Sequence, residues 1–129
     1  VTTQTQLERA RAFTEAFRAN GVEGLIPFMR PDVDIQSAPG WAGKPQYLGH
    51  EGARELALEW TESFQDYGWS DADVEELDED RVAAMFRHHG RTREGVPIDG
   101  PLAAVLEFDG DLVGRLRFFF TWEEAREAA

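Results

Sequence analysis

A chain of 129 residues with 42% hydrophobic and 12% aromatic side chains can build one core, and none of its apolar runs is long enough to span a bilayer. A formal net charge of −12 repels phosphate backbones and anionic lipid surfaces, which sets aside nucleic acid and membranes as partners. With no cysteine there is no disulfide framework, thiolate nucleophile or cysteine metal site.

The first helix is predicted over residues 5–20, where Leu7, Ala10, Phe13 and Phe17 recur at spacings of three and four and make one apolar stripe. Asn20-Gly21 stops it, because both residues tolerate left-handed backbone. A short helical turn covers 22–29. Pro31 then ends helical structure and starts an extended segment over 32–37, with Val33 and Ile35 on one face. Residues 38–49 read as a Gly/Pro loop carrying Trp41 and Tyr47, and a third helix over 50–66 buries Ala53, Leu56, Ala57, Trp60 and Phe64. Strands at 69–77 and 81–93 flank the acidic turn Asp78-Glu79-Asp80. A second pair at 96–108 and 112–121 flanks Asp109-Gly110, a strong hairpin signal, and a helical stub starts at Trp122.

Helices first and strands afterwards predict a single α+β domain over residues 1–129, with three helices laid across one face of a highly curved, mostly antiparallel sheet. A cavity between such layers is a natural place for a small molecule. Alternation puts Val82, Ala84, Phe86 and His88 on one face, with Leu102, Ala104, Leu106 and Phe108, and with Gly114, Leu116, Phe118 and Phe120. The other face carries Arg87, Glu107, Arg115 and Arg117, either solvated or paired with another subunit. Residues 71–80 hold seven acids, balanced by arginines in the later strands, as in a surface lattice of ion pairs. The opening residues lack a basic-then-apolar signal pattern, so a cytoplasmic protein is expected.

Taken together, Gly21-Val22-Glu23-Gly24-Leu25, Pro31-Asp32-Val33, Gly49-His50-Glu51-Gly52-Ala53, Asp109-Gly110 and Arg115-Leu116-Arg117-Phe118-Phe119-Phe120 carry a resemblance. In their order and spacing, over essentially its whole length, the chain resembles the SnoaL-like branch of the nuclear transport factor 2-like superfamily. The resemblance implies a cone-shaped α+β barrel, a deep pocket between helices and sheet, and a homodimer formed through the outer sheet face. That superfamily includes polyketide cyclases, a ketosteroid isomerase, an epoxide hydrolase, dehydratases and non-catalytic binders, among which fold alone does not choose. Carried over by position, the isomerase's tyrosine falls at Phe13, its base at Ser37 and its oxyanion acid at Ala104, none of which can do that chemistry. The hydrolase's inward carboxylate falls at Phe118, with the same result.

The inside then offers one general acid or base near pH 7, His88. Ser37, with Tyr47 or Trp41 if their loop folds inward, would orient a substrate. His89 points the other way by parity and Asp34 alternates outward, while Glu51 suits the first turn of its helix beside the dipole. Asp71-x-Asp73-x-Glu75 looks like the start of a calcium loop but has Glu76 where glycine is needed and Val82 at the twelfth place. No metal or cofactor is expected. The aromatic set Phe13, Phe17, Trp60, Phe64, Phe86, Phe118 and Phe120, with Ile35, Ser37, Trp41, Tyr47 and Ala104, is the expected pocket wall. The function read from these residues is binding of a small, largely apolar molecule, with acid–base chemistry of the cyclase, isomerase or dehydratase kind through His88. The alternative is a non-catalytic dimeric module whose aromatic side chains fill the pocket.

Overall fold

The computed structural model describes residues 5–39 and 43–128, the side chains of residues 70–72 excepted. Helix α1 (Gln6–Asn20) starts where Thr5 accepts a hydrogen bond from the Glu8 amide at 3.1 Å, and it stops at Gly21, whose N–H returns to the Phe17 carbonyl at 2.7 Å. Helix α2 (Val22–Leu25) and a 3-10 turn (Ile26–Phe28) lead into strand β1 (Met29–Gln36). Strand β2 (Gln46–Leu48) and helix α3 (Gly49–Ser63) follow. The chain closes with β3 (Phe64–Glu76), β4 (Arg81–Thr92), β5 (Pro97–Asp109), β6 (Leu112–Phe119) and helix α4 (Trp122–Glu127).

The six strands form one strongly curled sheet in the order β2-β1-β6-β5-β4-β3, with β1–β6 as its one parallel pair. The α+β architecture and the mostly antiparallel sheet agree with the sequence reading. Several boundaries do not. Pro31 lies inside β1 rather than before it, and the register of β1 on β6 breaks between Met29 and Asp34. A proline without an N–H is tolerated in such an irregularity, where the ladder asks nothing of it. The predicted loop contains β2, paired with β1 from Asp34↔Leu48 to Gln36↔Gln46. Helix α3 ends at Ser63, so Phe64 opens β3 instead of closing the helix. The register of β3 on β4 shifts between Gln65 and Gly68 around Asp66, whose φ is 51°, and this bulge erases the alternation that would have announced the strand.

The core has two sides. On the concave face Val33, Ile35, Val82, Ala84, Leu106 and Leu116 pack against Ala10 and Phe13 of α1, Leu25 of α2 and Ala53 of α3. On the outer face Ala83, Met85, Ala103 and Val105 pack against Trp122 and Ala125 of α4. The fourth helix thus covers apolar sheet surface that the sequence reading left to solvent or a second subunit. Around it the outer face is ion-paired, with Arg87 to Asp99 at 3.3 Å, Arg115 to Asp34 at 3.6 Å and Arg126 to Glu75 at 2.8 Å. Among the described residues no helix is long and apolar enough to cross a membrane.

Two glycines let the helices approach their neighbours. A Cβ on Gly24 would sit 2.3 Å from the Ala16 carbonyl oxygen, and one on Gly52 2.8 Å from the Tyr47 backbone. Both contacts are with backbone, which cannot rotate away. Gly24→Ala and Gly52→Ala are each expected to cost about 1–3 kcal/mol, the range of overpacked interiors. Urea unfolding would show a lowered midpoint at unchanged slope.

Candidate functional site

Between α1, α3 and the concave sheet lies a cavity of about 150 Å³. It exists because small side chains meet there. Ala84 and Ala104 are direct cross-strand partners on β4 and β5, and Ala53 and Ala57, one helical turn apart on α3, also line the space. Large residues surround them: Phe13 and Phe17 from α1, Trp60 from α3, Trp69 from β3, Phe86 from β4 and Phe118 from β6. Trp69 links the far wall together, its ring 5.9 Å from Phe17 and 5.2 Å from Phe86.

Polar chemistry in the wall is already committed. The Thr14 hydroxyl donates to the Arg11 carbonyl at 2.8 Å, and the Ser37 hydroxyl to the Lys44 carbonyl at 2.6 Å. The Ser37 proton is therefore engaged on the backbone, and toward the cavity its hydroxyl oxygen can act only as an acceptor. Among the described lining residues one is titratable, Tyr67. Its hydroxyl lies 3.2 Å from His88 Nδ1 and is hydrogen-bonded to the Trp60 side chain. An indole N–H can only donate, so the phenol oxygen accepts from Trp60 and its own proton goes to Nδ1. The three rings also touch, with Trp60–Tyr67 at 5.7 Å and Tyr67–His88 at 5.7 Å, both edge to face.

Burial sets the protonation of this pair. Desolvation pushes the Tyr67 phenol well above its ordinary value, so it stays protonated. Desolvation likewise lowers the His88 imidazole, with Asp99 opposing and His89 adding to the effect. A neutral imidazole accepting a phenol proton is the arrangement both shifts favour.

Eight of the expected residues line the cavity: Phe13, Phe17, Ile35, Ser37, Trp60, Phe86, Ala104 and Phe118. His88 does not. It is 8% exposed and stands behind Tyr67, against the expectation that it faces the pocket itself. Tyr47 is buried beneath α3, its hydroxyl bonded to Glu59 and accepting the Lys44 amide at 3.1 Å. Phe64 stacks on the Tyr67 ring, and Phe120 falls beyond the end of β6; neither lines the space. Trp41 lies outside the described residues.

The remaining candidates sit where alternation and helix position placed them. Asp34 pairs with Gln46 at 2.8 Å on the outer side, His89 is exposed, and Glu51 bridges to Arg54 in the first turn of α3. His50 bonds the Met29 carbonyl at 3.0 Å. Among the described residues no group of three histidine or acidic side chains could hold a metal ion. Sequence reasoning missed Tyr67, which fell between the predicted helix and strand. An aromatic residue flanked by Asp66 and Gly68 gave no periodicity to follow.

Residues 10–116 match the SnoaL-like domain family. No curated protein matches the chain. Among solved structures the chain is similar to TerC co-crystallised with polyporic acid, with 20% identity and a TM-score of 0.75 over 93% of this chain and 96% of that one. An NTF2-like protein of unknown function from Burkholderia pseudomallei K96243 has 14% identity and a TM-score of 0.78, over 95% of each chain. A protein with a ketosteroid isomerase-like fold from Catenulispora acidiphila DSM 44928, in complex with trimethylamine, has 14% identity and a TM-score of 0.71 over 92% and 88% of the two chains. At these identities the likeness concerns the fold.

Proposed function

We propose, from the premise that the chain belongs to the SnoaL-like domain family, that it holds a small, largely apolar molecule in the cavity between α1, α3 and the sheet. The observation that carries this reading is the wall itself. About 150 Å³ of apolar space is the size at which a protein cavity stays dry and takes up a benzene-sized guest. Similar folds co-crystallised with polyporic acid and with trimethylamine add support that this architecture receives small molecules.

The same wall favours binding over acid–base catalysis. Among the described residues no carboxylate, imidazole or amine lines the cavity, and its one titratable group is a phenol held protonated by burial. Any proton chemistry would pass through Tyr67, with His88 as a positioning residue behind it. A polar ligand atom left unpaired inside would cost about 1–3 kcal/mol, so the part of the ligand that enters is apolar.

Titration with toluene tests the proposal. Trp60 and Trp69 both stand in the wall, so their emission is expected to change saturably. Amide shifts are expected to cluster at Ala57, Ala84 and Ala104. Shifts scattered over the outer surface, or no saturation, would sink the reading. The homodimer implied by the family is a separate part of the proposal. Its outer-sheet contact would meet α4 and ion pairs rather than a bare apolar patch, and sedimentation at micromolar concentration decides it.

A further inference from the structure

The hydroxyl protons of Thr14, Ser37 and Tyr67 are engaged within the protein, so none is offered inside to an acceptor group of a ligand, and such a group belongs at the mouth. Among the described lining residues Phe17, near the end of α1, is the exposed one, which puts the mouth there. Phe17 lines the cavity and is yet 36% exposed, and it lies against Trp69, the next wall residue. Arg18 follows Phe17, and its guanidinium lies 4.9 Å from the centre of the Trp69 ring. Among the described residues it is the one cation stacked on a wall side chain. Eight arginines bridge to a carboxylate, yet Arg18 meets no acidic partner among the described residues of a chain that has 25 acids.

We propose that Arg18 is an anion-recognising group at the cavity mouth, and that the ligand is an amphiphilic acid whose apolar body enters while its carboxylate stays outside against the guanidinium. This rests on the cavity reading given above. A guanidinium over an aromatic face can keep edge N–H groups for a carboxylate, so the ring contact and pairing are compatible. The overall charge of −12 opposes anions at long range, but salt at physiological strength screens that field while a contact pair at the mouth survives.

The test compares 3-phenylpropionate with its neutral amide, in the unmodified protein and in Arg18→Gln, with toluene as the cavity control. The acid is expected to bind about tenfold tighter than the amide, the scale of one charge-assisted contact. Arg18→Gln is expected to erase that preference and leave toluene and amide binding unchanged. Equal affinities in the unmodified protein, or an acid preference that persists in Arg18→Gln, overturn the assignment. Toluene binding with neither phenylpropyl compound bound also overturns it and leaves the cavity reading standing. Failure of all three removes both.

Discussion

Ala104→Phe is expected to abolish uptake of toluene while the protein stays folded. Ala104 faces Ala84 on one neighbouring strand and Phe118 on the other, and all three line the cavity. A phenyl ring grown from this position occupies space that is already vacant, so it meets few of the clashes that make small-to-large changes costly. The dissociation constant should rise at least about 100-fold, because the guest and the new side chain compete for one volume of about 150 Å³. Stability should move by no more than about 1–2 kcal/mol, the lost voids offsetting the strain. Ala103→Phe supplies the contrast. One residue away on the same strand, Ala103 points to the outer face and is fully buried in the cluster that includes Ala125 of α4. There the ring has no vacancy to enter, so α4 is displaced and stability falls by about 1–3 kcal/mol while toluene still binds. Isothermal titration and thermal melts of the two variants separate the cases. Equal loss of binding in both would mean that the cavity is not the binding site.

The two substitutions differ only in strand parity, which was the part of this fold most legible in the sequence. Alternation in β4, β5 and β6 alone sorts Ala84, Phe86, Ala104, Leu106, Leu116 and Phe118 onto the concave face, where all six line the cavity. The motifs that carried the family resemblance also have a local physical basis. Gly24 and Gly52, from two of the glycine-containing motifs, are the points where α2 meets α1 and where α3 meets β2. What resisted reading was structure without a period. The start of β3 is bulged around Asp66, so Tyr67 was assigned to neither element. A pocket between helices and sheet is expected, with a filled interior as the alternative. That it is open depends on Ala53, Ala57, Ala84 and Ala104, from three elements, lining one space, a matter of tertiary packing that no local pattern encodes. The cover supplied by α4 was obscured likewise: parity showed charges at Arg87, Arg115 and Arg117, and these surround the apolar centre that Trp122 and Ala125 bury.

Tyr67→Phe is expected to be the most damaging single-atom change at the site. Removing the hydroxyl leaves the Trp60 N–H without its acceptor and His88 Nδ1 without its donor. Each deserted group costs about 1–3 kcal/mol where water cannot replace the partner, so a loss of about 2–4 kcal/mol is expected. Removing the imidazole as well, in Tyr67→Phe with His88→Leu, should cost less than the sum of the two single changes, because the second substitution deletes one of the orphaned groups. His88 gives the same cluster a pH signature. The groups around the imidazole are the Tyr67 phenol and Trp60 indole on one side, with Asp99 and the neighbouring His89 acting through their charges, and desolvation prevails to lower its pKa. Above about pH 6.5, the ordinary histidine value, folded and unfolded chains both hold it neutral and the Tyr67 contact contributes in full. As the pH falls through that value the unfolded chain takes up the proton first, so stability declines until the depressed folded pKa is passed. Melting temperature should therefore drop between pH 7.5 and 5.5, above the range in which the carboxylates titrate. In His88→Asn, whose amide oxygen can accept from Tyr67 but does not titrate, the slope should flatten. An unchanged slope in that variant, or a Tyr67→Phe protein within about 0.5 kcal/mol of the parent, would mean that the phenol–imidazole contact contributes nothing to the fold. A flattened slope with a large Tyr67→Phe penalty would instead establish that Tyr67, in the cavity wall, is held from behind, which is the condition for it to meet a ligand in a fixed orientation.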